Sequence, residues 1–569
     1  MRILFLTHSF NSLTQRLFVA LREQGHEVSV EFDINDAVSI EAVDLHSPDL
    51  IIAPFLKRAI PAAIWRQHVC LVVHPGVVGD RGPSALDWAI LRGEEQWGVT
   101  VLQANAVMDG GDVWAHAEFP MREASKASLY RSEVADAAVA AVTTAVERFG
   151  SGEFRPTPLA DMPNPLPGCE RPLLRQQDRR IDWAADSTAT VLRKIRSADG
   201  FPGLADEVFG RRLYLFDARP ASGLSGTPGE LLARAGGAVA VATRDGAVWL
   251  GQLRDPDSDH PFKLPAIRVL GALAEQLPEL PADHPDREPE IRYTEHGQVG
   301  FLEFEFYNGA MGTARCEALL EAYQEACRQD TRVIVLTGGP DFWSNGMDLN
   351  EIESADSTAD ESWRNINAID DLAEAIIGTT THLTVAALRG NAGAGGVFLA
   401  RAADYVWSHS GITLNPHYKD MGNLYGSEFW SYLLPRCCGD AHAREILEAR
   451  LPVGARQAAE LGLIDEVIGN DRQAFEATLG ERARAIAESA DYPARLEAKA
   501  TRRAADEREK PLADYREAEL ERMRMNFYGF DPSYHVARYN FVYKVPKSRT
   551  PTTIARHRRR NEPSMRDAS

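Results

Sequence analysis

Short strands made largely of apolar residues alternate with helices in two separate stretches of the chain, and this pattern restricts the fold more than any other feature. In the first stretch we predict strands at Ile3–Leu6, Glu27–Phe32, Asp49–Phe55 and Val69–Val73, with a helix over Leu13–Glu23. Strands without polar alternation are buried on both faces, which is typical of a parallel sheet covered by helices. The sequence therefore predicts an α/β fold that begins with a Rossmann-like parallel sheet.

A second series of strands and helices occupies the later part of the chain. Strands are predicted at Gly300–Phe306, Val333–Thr337 and Thr384–Leu388, with a helix over Glu317–Arg328. From about residue 470 the sequence is mostly helical and rich in charge. We expect this part to form another α/β domain with a helical C-terminal part.

Between the two series, short strands separated by glycine-rich turns predict a small β-rich, OB-like domain. Proline-rich linkers are expected at about 155–175 and 277–290. The predicted domains are therefore residues 1–155, 175–275 and 290–545.

Composition argues against several classes of function. Aspartate and glutamate outnumber lysine and arginine, 82 to 62, and a net charge of −20 disfavours a nucleic-acid partner. The basic run Arg556–Arg560 is an exception, and we expect it to lie in a flexible tail over residues 546–569. No apolar stretch reaches the roughly 18 residues that cross a bilayer, and the six cysteines form no CxxC pair. We expect a cytoplasmic protein that acts on small molecules, without membrane attachment or a metal site.

A histidine and an aspartate follow strands of the first predicted sheet. His74 directly follows Val69–Val73, and Asp109 lies 35 residues further along the chain. Open α/β sheets bind ligands at the carboxyl ends of their strands, and a histidine oriented by a carboxylate can move a proton from a nucleophile to a leaving amine. The pair is equally compatible with a hydrogen-bonded histidine and a turn aspartate that have no catalytic role.

With its surroundings, this segment resembles the 10-formyltetrahydrofolate-dependent formyltransferases, such as those that act on methionyl-tRNA or glycinamide ribonucleotide. That family has a strand ending in Asn-x-His, a loop ending in Arg-Gly and a later Asp-x-Gly loop. His74, Arg81 with Gly82, and Asp109 stand at the matching positions. The resemblance covers about residues 1–255. It implies that His74 and Asp109 are catalytic and that Arg81 and Gly82 contact the folate.

One residue departs from the formyltransferase pattern. Val72 stands where the family has the asparagine that holds the formyl oxygen, and losing one such donor lowers a rate by roughly 10²–10³. Either Gln15 or Asn105 replaces this donor, or the acceptor chemistry differs, for which a thiol acceptor is one example. Gln15 and Arg131, each placed at the start of a predicted helix, are also candidate contacts for folate or CoA.

Two glycine-rich segments, Gly338–Leu349 and Leu388–Gly396, follow strands of the second series. Glycines at the end of a strand free backbone N–H groups to point into a cleft, where two of them can bind a thioester oxygen as it gains charge. Either segment alone is also compatible with ordinary glycine turns of an α/β fold.

Together, the two segments resemble the signatures of the crotonase (enoyl-CoA hydratase/isomerase) superfamily. The segment Ala458–Val467 also matches, and the resemblance covers about residues 290–470. It implies a CoA thioester as substrate and an oxyanion hole made by the backbone amides of Met347 and Gly395.

The two glutamates with which hydratases of this superfamily add water are both replaced. Phe398 and His417 occupy their positions, so hydration of an enoyl-CoA is not expected. Two residues nearby, Tyr418 and Glu428, can donate and remove protons, and we predict that they are catalytic. A buried tyrosine and a surface glutamate without catalytic roles are the alternative interpretation.

The order of the modules resembles that of the HypX/HoxX hydrogenase maturation proteins. This resemblance implies transfer of formyl from 10-formyltetrahydrofolate to CoA, followed by decarbonylation of formyl-CoA to CO and CoA. It also implies supply of CO to nickel–iron hydrogenase, with other maturation proteins as partners. Two alternatives stay open: a formyl-CoA hydrolase that releases formate, and a crotonase-type module that only binds CoA or a partner protein.

Overall fold

The computed structural model describes residues 1–163, 167–281 and 289–559. The chain divides into two units: Met1–Leu232 with Ala240–Gly251 and Pro546–Ser569, and Ala233–Val239 with Gln252–Val545. Parts of the two predicted linkers, at 164–166 and 282–288, lie outside the described residues, as does the end of the chain from residue 560.

Strands and helices alternate through the N-terminal part, as the apolar pattern predicted. In chain order they are β1 (Arg2–Thr7), α1 (Ser12–Glu23), β2 (Glu27–Phe32), α2 (Asp36–His46), β3 (Leu50–Ala53), α3 (Ala62–Trp65), β4 (Cys70–His74), α4 (Ala85–Arg92), β5 (Gln96–Gln103), β6 (Val113–Pro120), α5 (Lys126–Arg131) and α6 (Glu133–Ser151).

These strands form one sheet in the order β2-β1-β3-β4-β5-β6. The pairs β1–β2, β1–β3 and β3–β4 are parallel, which confirms the predicted Rossmann-like arrangement. The pairs β4–β5 and β5–β6 are antiparallel. Because β5 and β6 follow each other without an intervening helix, they can pair only as a hairpin. β4 lies inside this sheet, between β3 and β5, and its carboxyl end is His74.

Arg131 was expected at the start of the helix that closes this domain, but the structure has two helices in that region. The backbone leaves the helical region at Ser132 (φ −107, ψ −96), which ends α5 and begins α6. Arg131 is therefore the last residue of a short helix and not the first turn of the closing one. The apolar side of α6 packs on β5 and β6, which explains its alanine- and valine-rich composition.

The middle of the chain is rich in strands, as predicted. Its elements are α7 (Thr188–Ala198), β7 (Leu204–Val208), β8 (Arg211–Pro220), β9 (Leu231–Ala235), β10 (Ala238–Ala242), β11 (Ala247–Arg254), β12 (Leu264–Pro265), α8 (Ala266–Leu270) and α9 (Ala272–Glu275). The strand order is β7-β8-β11-β10-β9, and β12 pairs with β11.

The C-terminal part is a second α/β arrangement that ends in helices. Its elements are β13 (Ile291–His296), β14 (Val299–Phe304), α10 (Thr313–Ala326), β15 (Val333–Thr337), β16 (Phe342–Ser344), α11 (Leu349–Glu353), α12 (Thr358–Gly378), β17 (Leu383–Leu388), β18 (Asn391–Gly393), α13 (Gly395–Arg401), β19 (Tyr405–Ser408), β20 (Thr413–Asn415), α14 (Trp430–Cys438), α15 (Asp440–Ala449), β21 (Val453–Gly454), α16 (Ala455–Glu460), β22 (Glu466–Val467), α17 (Arg472–Ala487), α18 (Tyr492–Glu509), α19 (Leu512–Tyr528) and α20 (Ser533–Val542).

Two sheets organise this part. One has the order β13-β14-β15-β17-β19-β22, and the other has the order β16-β18-β20-β21. Each of β15, β17 and β19 is followed by a short strand of the second sheet, so the chain leaves the first sheet at a glycine-rich turn and returns by a helix. Helix α12 packs against both α10 and α19. Within the described ranges, no helix is both long enough and apolar enough to cross a membrane.

The C-terminal segment differs from the flexible tail that its basic composition predicted. Val30 of β2 donates its N–H to the carbonyl of Ile554 (3.0 Å), and the side chains of Ile554 and Ala555 are buried. Because β2 is the outer strand of its sheet, this segment covers a backbone edge that would otherwise be open. Residues 546–559 are therefore packed against the first unit.

Glu31 on β2 is the buried anion that this segment binds. Its carboxylate contacts the Thr550 hydroxyl, the Arg558 guanidinium and, at 2.9 Å, the Nε2 atom of His557. Burial alone would raise the pKa of Glu31, but the hydrogen bonds from His557, Thr550 and Arg558 outweigh burial and lower it. One buried carboxylate therefore supplies the counter-charge for His557 and Arg558 of the basic run.

We expect Glu31→Ala to lower the free energy of unfolding by about 3 kcal/mol, because it leaves Arg558 and His557 without their buried partner. Chemical denaturation measures this loss. Since the folded-state pKa is lowered, the stabilisation is present above the ordinary glutamate pKa and disappears as pH falls through the folded value. The matched control is Glu41→Ala, which removes an exposed partner of the same Arg558 and should cost less than about 0.5 kcal/mol. Equal losses in the two variants would contradict this account.

Candidate functional sites

His74 is the last residue of β4 and is almost completely buried. It pairs across the sheet with Thr100 of β5, whose hydroxyl donates to the carbonyl of Gly76 (2.8 Å). The indole N–H of Trp97, also on β5, donates to the carbonyl of Pro75 (2.8 Å). Two side chains of the neighbouring strand therefore fix the backbone that follows the histidine.

Two carboxylates contact the His74 ring at its two nitrogens. Nε2 lies 3.0 Å from Oδ1 of Asp80, and Nδ1 lies 3.6 Å from Oδ2 of Asp109. Asp80 is itself buried and pairs with the guanidinium of Arg171. The N–H of Gly82 donates to Oδ2 of Asp109 (3.1 Å). The imidazole thus lies between one aspartate with a buried counter-charge and one that a backbone amide orients.

This arrangement suits proton transfer. A carboxylate bound to one imidazole nitrogen fixes the tautomer and stabilises the protonated ring, which leaves the other nitrogen available to a substrate. The contact between Nδ1 of His74 and the Asp109 carboxylate is the longer of the two and is beyond hydrogen-bond distance. Asp109 also has φ 51, in the left-handed region. Strained backbone of this kind concentrates at functional sites.

The sequence did not predict Asp80 or Arg171. Asp80 lies between the glycines of the loop after His74, so its position beside that histidine was a usable signal. Arg171 lies in the predicted linker, where nothing local marks it. Its guanidinium stacks on Trp97 at 5.2 Å, and its carbonyl oxygen would lie 2.1 Å from a Cβ on Gly82. Only glycine fits at that position.

The other predicted residues of this unit lie on separate elements. Arg81 pairs with Glu170 at 2.9 Å. Gln15 lies in α1, and Arg131 ends α5, which packs against α1. Asn105, one of the two candidates to replace the amide donor missing at Val72, is exposed. The side chains placed at the two ring nitrogens of His74 are those of Asp80 and Asp109.

The two glycine-rich turns of the second α/β part are neighbours. β16 and β18 pair in parallel, and each is followed by a residue with a positive φ. These residues are Gly346 (φ 75) and Ala394 (φ 48). A Cβ on Gly346 would lie 3.7 Å from the nitrogen of Gly395. In the part of the chain that the structure describes, neither the Met347 N–H nor the Gly395 N–H has a protein acceptor. Two unsatisfied amides in adjacent turns are suited to bind a carbonyl oxygen.

The carboxyl group of Glu428 lies directly against Gly395. A Cβ on Gly395 would lie 1.9 Å from Oε1 of Glu428, so a side chain there would displace this carboxyl. The hydroxyl of Tyr418 donates to Oε2 of Glu428 (2.6 Å). The Tyr418 ring stacks on Phe398 with 5.4 Å between the centroids. The structure therefore brings Gly395, Tyr418 and Glu428 together.

Burial sets the protonation of this site. Burial, followed by the negative charge of Asp370, raises the pKa of Glu428 to about 8. Burial and the adjacent Glu428 raise the pKa of Tyr418 well above its usual value. Glu428 is only 1% exposed, which excludes the alternative of a surface glutamate. Once ionised, a carboxylate with a raised pKa is a stronger base than an ordinary one.

Phe398 and His417, which stand where hydratases have glutamates, are both buried. Phe398 packs on Tyr418, and burial lowers the pKa of His417. Among the described residues, Nδ1 of His417 has no hydrogen-bond partner. Neither side chain supplies a carboxylate, and Glu428 is the carboxyl group that contacts the Gly395 turn. In the same described ranges, no group of three or more histidine, cysteine, aspartate or glutamate side chains is arranged to hold a metal ion.

Three segments of the chain match protein families. Residues 33–146 match the family described as "Formyl transferase", and residues 173–260 match "Formyl transferase, C-terminal domain". Residues 308–530 match "Enoyl-CoA hydratase/isomerase". The His74 site lies in the first segment and the Glu428 site in the last.

Two proteins match this chain over nearly its whole length. It is 59% identical to the hydrogenase maturation factor HoxX of Bradyrhizobium diazoefficiens over 565 residues, which are 99% of this chain and 98% of that protein. The crystal structure of HypX from Aquifex aeolicus in complex with tetrahydrofolic acid has 49% identity and a TM-score of 0.94, with 99% of each chain covered. Methionyl-tRNA formyltransferase of Citrifermentans bemidjiense is 26% identical over 239 residues, which are 42% of this chain and 73% of that protein.

Replacing Gly395 by alanine puts a methyl group where Oε1 of Glu428 lies. We expect Gly395→Ala to displace the Glu428 carboxyl and to cost about 1–3 kcal/mol of stability through overpacking. A crystal structure of the variant and urea denaturation measure the two effects. The control is Gly480→Ala in α17, where a Cβ meets nothing within 4 Å; it should be neutral or stabilising by up to about 1 kcal/mol. If the Glu428 carboxyl does not move in Gly395→Ala and the stability of the variant is unchanged, Gly395 and Glu428 are not in close contact.

Proposed function

We propose, because this chain belongs to the HypX/HoxX family of hydrogenase maturation factors, that it transfers formyl from 10-formyltetrahydrofolate to CoA and splits the formyl-CoA into CO and CoA. The CO becomes a ligand of the iron in nickel–iron hydrogenase, and other hydrogenase maturation proteins are the proposed partners. One observation carries the second reaction: the buried Glu428 carboxyl lies against the Gly395 turn of a domain that lacks both hydratase glutamates.

We assign the folate reaction to residues 1–155 with 175–275, and the CoA reaction to residues 290–545. The matches to formyl transferase and enoyl-CoA hydratase/isomerase families support this division. The tetrahydrofolic acid bound to Aquifex aeolicus HypX supports a folate site. The proposed contacts with folate or CoA are Gln15, Arg81, Gly82 and Arg131.

In the proposed first reaction, His74 takes the proton of the CoA thiol as the sulfur attacks the formyl carbon. It then gives this proton to the folate nitrogen that leaves. Asp80 and Asp109 orient the ring and stabilise its protonated form. A thiol forms its anionic nucleophile near neutral pH more readily than an amine or a hydroxyl. The thiol acceptor therefore offers one explanation for the loss of the family's asparagine at Val72.

In the proposed second reaction, the amides of Met347 and Gly395 bind the oxygen of the thioester. The Glu428 carboxylate removes the formyl proton, the electron pair of the C–H bond stays on carbon as CO forms, and the C–S bond breaks. The CoA thiolate takes a proton from Tyr418 or from Glu428, so the products are CO and the free thiol. No oxidant or reductant is consumed.

Two variants separate the two reactions. With 10-formyltetrahydrofolate and CoA supplied, the protein should release CO, which reduced haemoglobin traps. His74→Asn should lower formyl transfer by at least about 10²-fold and still release CO from synthetic formyl-CoA. Glu428→Gln should do the opposite, with free folate and formyl-CoA accumulating. Glu517→Gln, an exposed change on α19, is the control and should leave both rates unchanged.

The products also decide between the proposed function and its alternatives. Formate without CO would show a formyl-CoA hydrolase, because the same carboxylate can activate water. CO that forms without CoA, or at an unchanged rate in Glu428→Gln, would show a crotonase-type domain that only binds CoA or a partner.

CO release from formyl-CoA should depend on pH with a midpoint of about 8. Glu428 must be ionised to accept the formyl proton, and burial with the charge of Asp370 raises its pKa to about 8. The rate should therefore rise with pH and fall about tenfold for each unit below the midpoint. A steady-state rate profile with saturating formyl-CoA measures it. A midpoint near the ordinary glutamate pKa of about 4.3 would contradict the assignment of Glu428 as base.

A further inference from the structure

Two consecutive residues of the Glu428 site have a backbone conformation that side chains other than glycine rarely adopt. Glu428 has φ 59 and Phe429 has φ 58, both in the left-handed region. Such conformations persist only where the surrounding structure fixes them. The groups that fix this turn also decide where the Glu428 carboxyl points.

Two buried carboxylates on different helices hold the turn. The N–H of Glu428 donates to Oδ1 of Asp370 on α12 (2.8 Å), and the N–H of Phe429 donates to Oε2 of Glu519 on α19 (3.0 Å). The hydroxyl of Ser427 lies 2.7 Å from Oδ2 of Asp370 and 3.4 Å from Oε2 of Glu519. We call Asp370, Glu519 and Ser427 the carboxyl clamp.

A clamp with a purely structural role does not need negative charge. Neutral amides accept the same N–H bonds, and burying carboxylates beside another carboxylate lowers stability unless a cation compensates. Nε of Arg516 lies 4.0 Å from Oδ2 of Asp370, but this guanidinium also pairs with Asp371 (2.6 Å) and Glu374 (2.8 Å). Within the described ranges, no cation pairs with Glu519, whose bonds come from neutral N–H and hydroxyl donors.

Four titratable groups among the described residues interact electrostatically with Glu428, and all four are acids, while the nearby Arg516 guanidinium lies beside Asp370. They are Asp370 on α12, Glu519 on α19, Cys316 on α10 and Tyr418 in the preceding loop. Burial raises the pKa of Asp370 to about 7. Burial, followed by the charge of Asp370, raises the pKa of Glu519 to about 8. The three carboxyl groups therefore do not all ionise near neutral pH, and each ionised neighbour increases the affinity of Glu428 for a proton.

We propose that Asp370 and Glu519 are positioning residues for the formyl-CoA reaction: they hold the Glu428 carboxyl against the Gly395 turn and direct negative charge at it. The consequence is a base strong enough for the weakly acidic formyl proton. The inference deepens the proposed function and rests on it for the identity of that proton. Neither residue is proposed to touch the substrate.

The variants Asp370→Asn and Glu519→Gln test whether the negative charges of these two residues raise the proton affinity of Glu428. Both variants keep an oxygen acceptor for the backbone N–H that each residue binds. Infrared spectroscopy of the substrate-free protein follows the protonated Glu428 carboxyl across pH, and the band that Glu428→Gln lacks identifies it. We expect the midpoint of the Glu428 titration to fall by about 1 pH unit in each variant, because each removes a nearby like charge. The matched control is Asp371→Asn, the next residue on α12, which is half exposed and pairs with Arg516. Because Asp371 acts on Glu428 only through Asp370 and Arg516, this variant should shift the midpoint much less than either clamp variant.

CO release from formyl-CoA is the second readout. In Asp370→Asn and Glu519→Gln, the rising limb of the rate–pH profile should move to lower pH by the same amount, with a maximal rate roughly 3–10-fold lower because the base is weaker. Asp370→Ala also removes the acceptor that holds the turn, so its rate should fall at least about tenfold below that of Asp370→Asn.

An unchanged infrared midpoint in both charge variants overturns the proposal, whichever product the wild-type protein forms. Midpoints that shift as expected in a protein that releases formate and no CO would overturn the proposed function and support the clamp. If Asp370→Ala does not fold, the comparison of Asp370→Asn and Glu519→Gln with Asp371→Asn still tests whether the clamp carboxylates raise the proton affinity of Glu428.

Discussion

Both candidate sites depend on how the structure compensates buried ionisable side chains. At the end of β4, Asp80 has Arg171 as a buried counter-charge and contacts the ring of His74. In the ranges that the structure describes, no such cation pairs with Glu428, whose carboxyl contacts the Tyr418 hydroxyl and the Ser427 N–H among acidic neighbours. The first unit therefore holds an imidazole beside a carboxylate that is already paired with a cation, and the second holds a carboxyl with raised proton affinity.

Close approach of another group to a glycine backbone is the second common feature. Gly82 lies where a Cβ would meet the carbonyl of Arg171, and Gly395 lies where a Cβ would meet the carboxyl of Glu428. Both glycines belong to motifs shared with larger families, while residues near them have changed. Val72 and Phe398 stand where the formyltransferase and crotonase patterns have polar side chains, so this chain keeps the glycines of those motifs and has apolar residues at these two positions.

The errors of the sequence-based predictions share a cause. A flexible tail was expected from a run of basic residues, but Glu31, more than 500 residues earlier, binds His557 and Arg558 of that run. Arg171 was assigned to a linker because its neighbours are prolines, yet it pairs with a buried aspartate 91 positions away. Composition reports local preference, and an ion pair between distant segments leaves no local pattern.

The sequence by itself determined the fold class, the strand that ends in His74 and the two glycine turns that present Met347 and Gly395. Apolar periodicity and glycine spacing are local properties, and local backbone energetics convert them into strands and turns. Only the tertiary structure decided that Glu428 is buried against Gly395, and that Asp370 and Glu519 hold it from 58 and about 90 positions away. Those contacts exist because α12 and α19 pack together, and burial and charge follow from that packing.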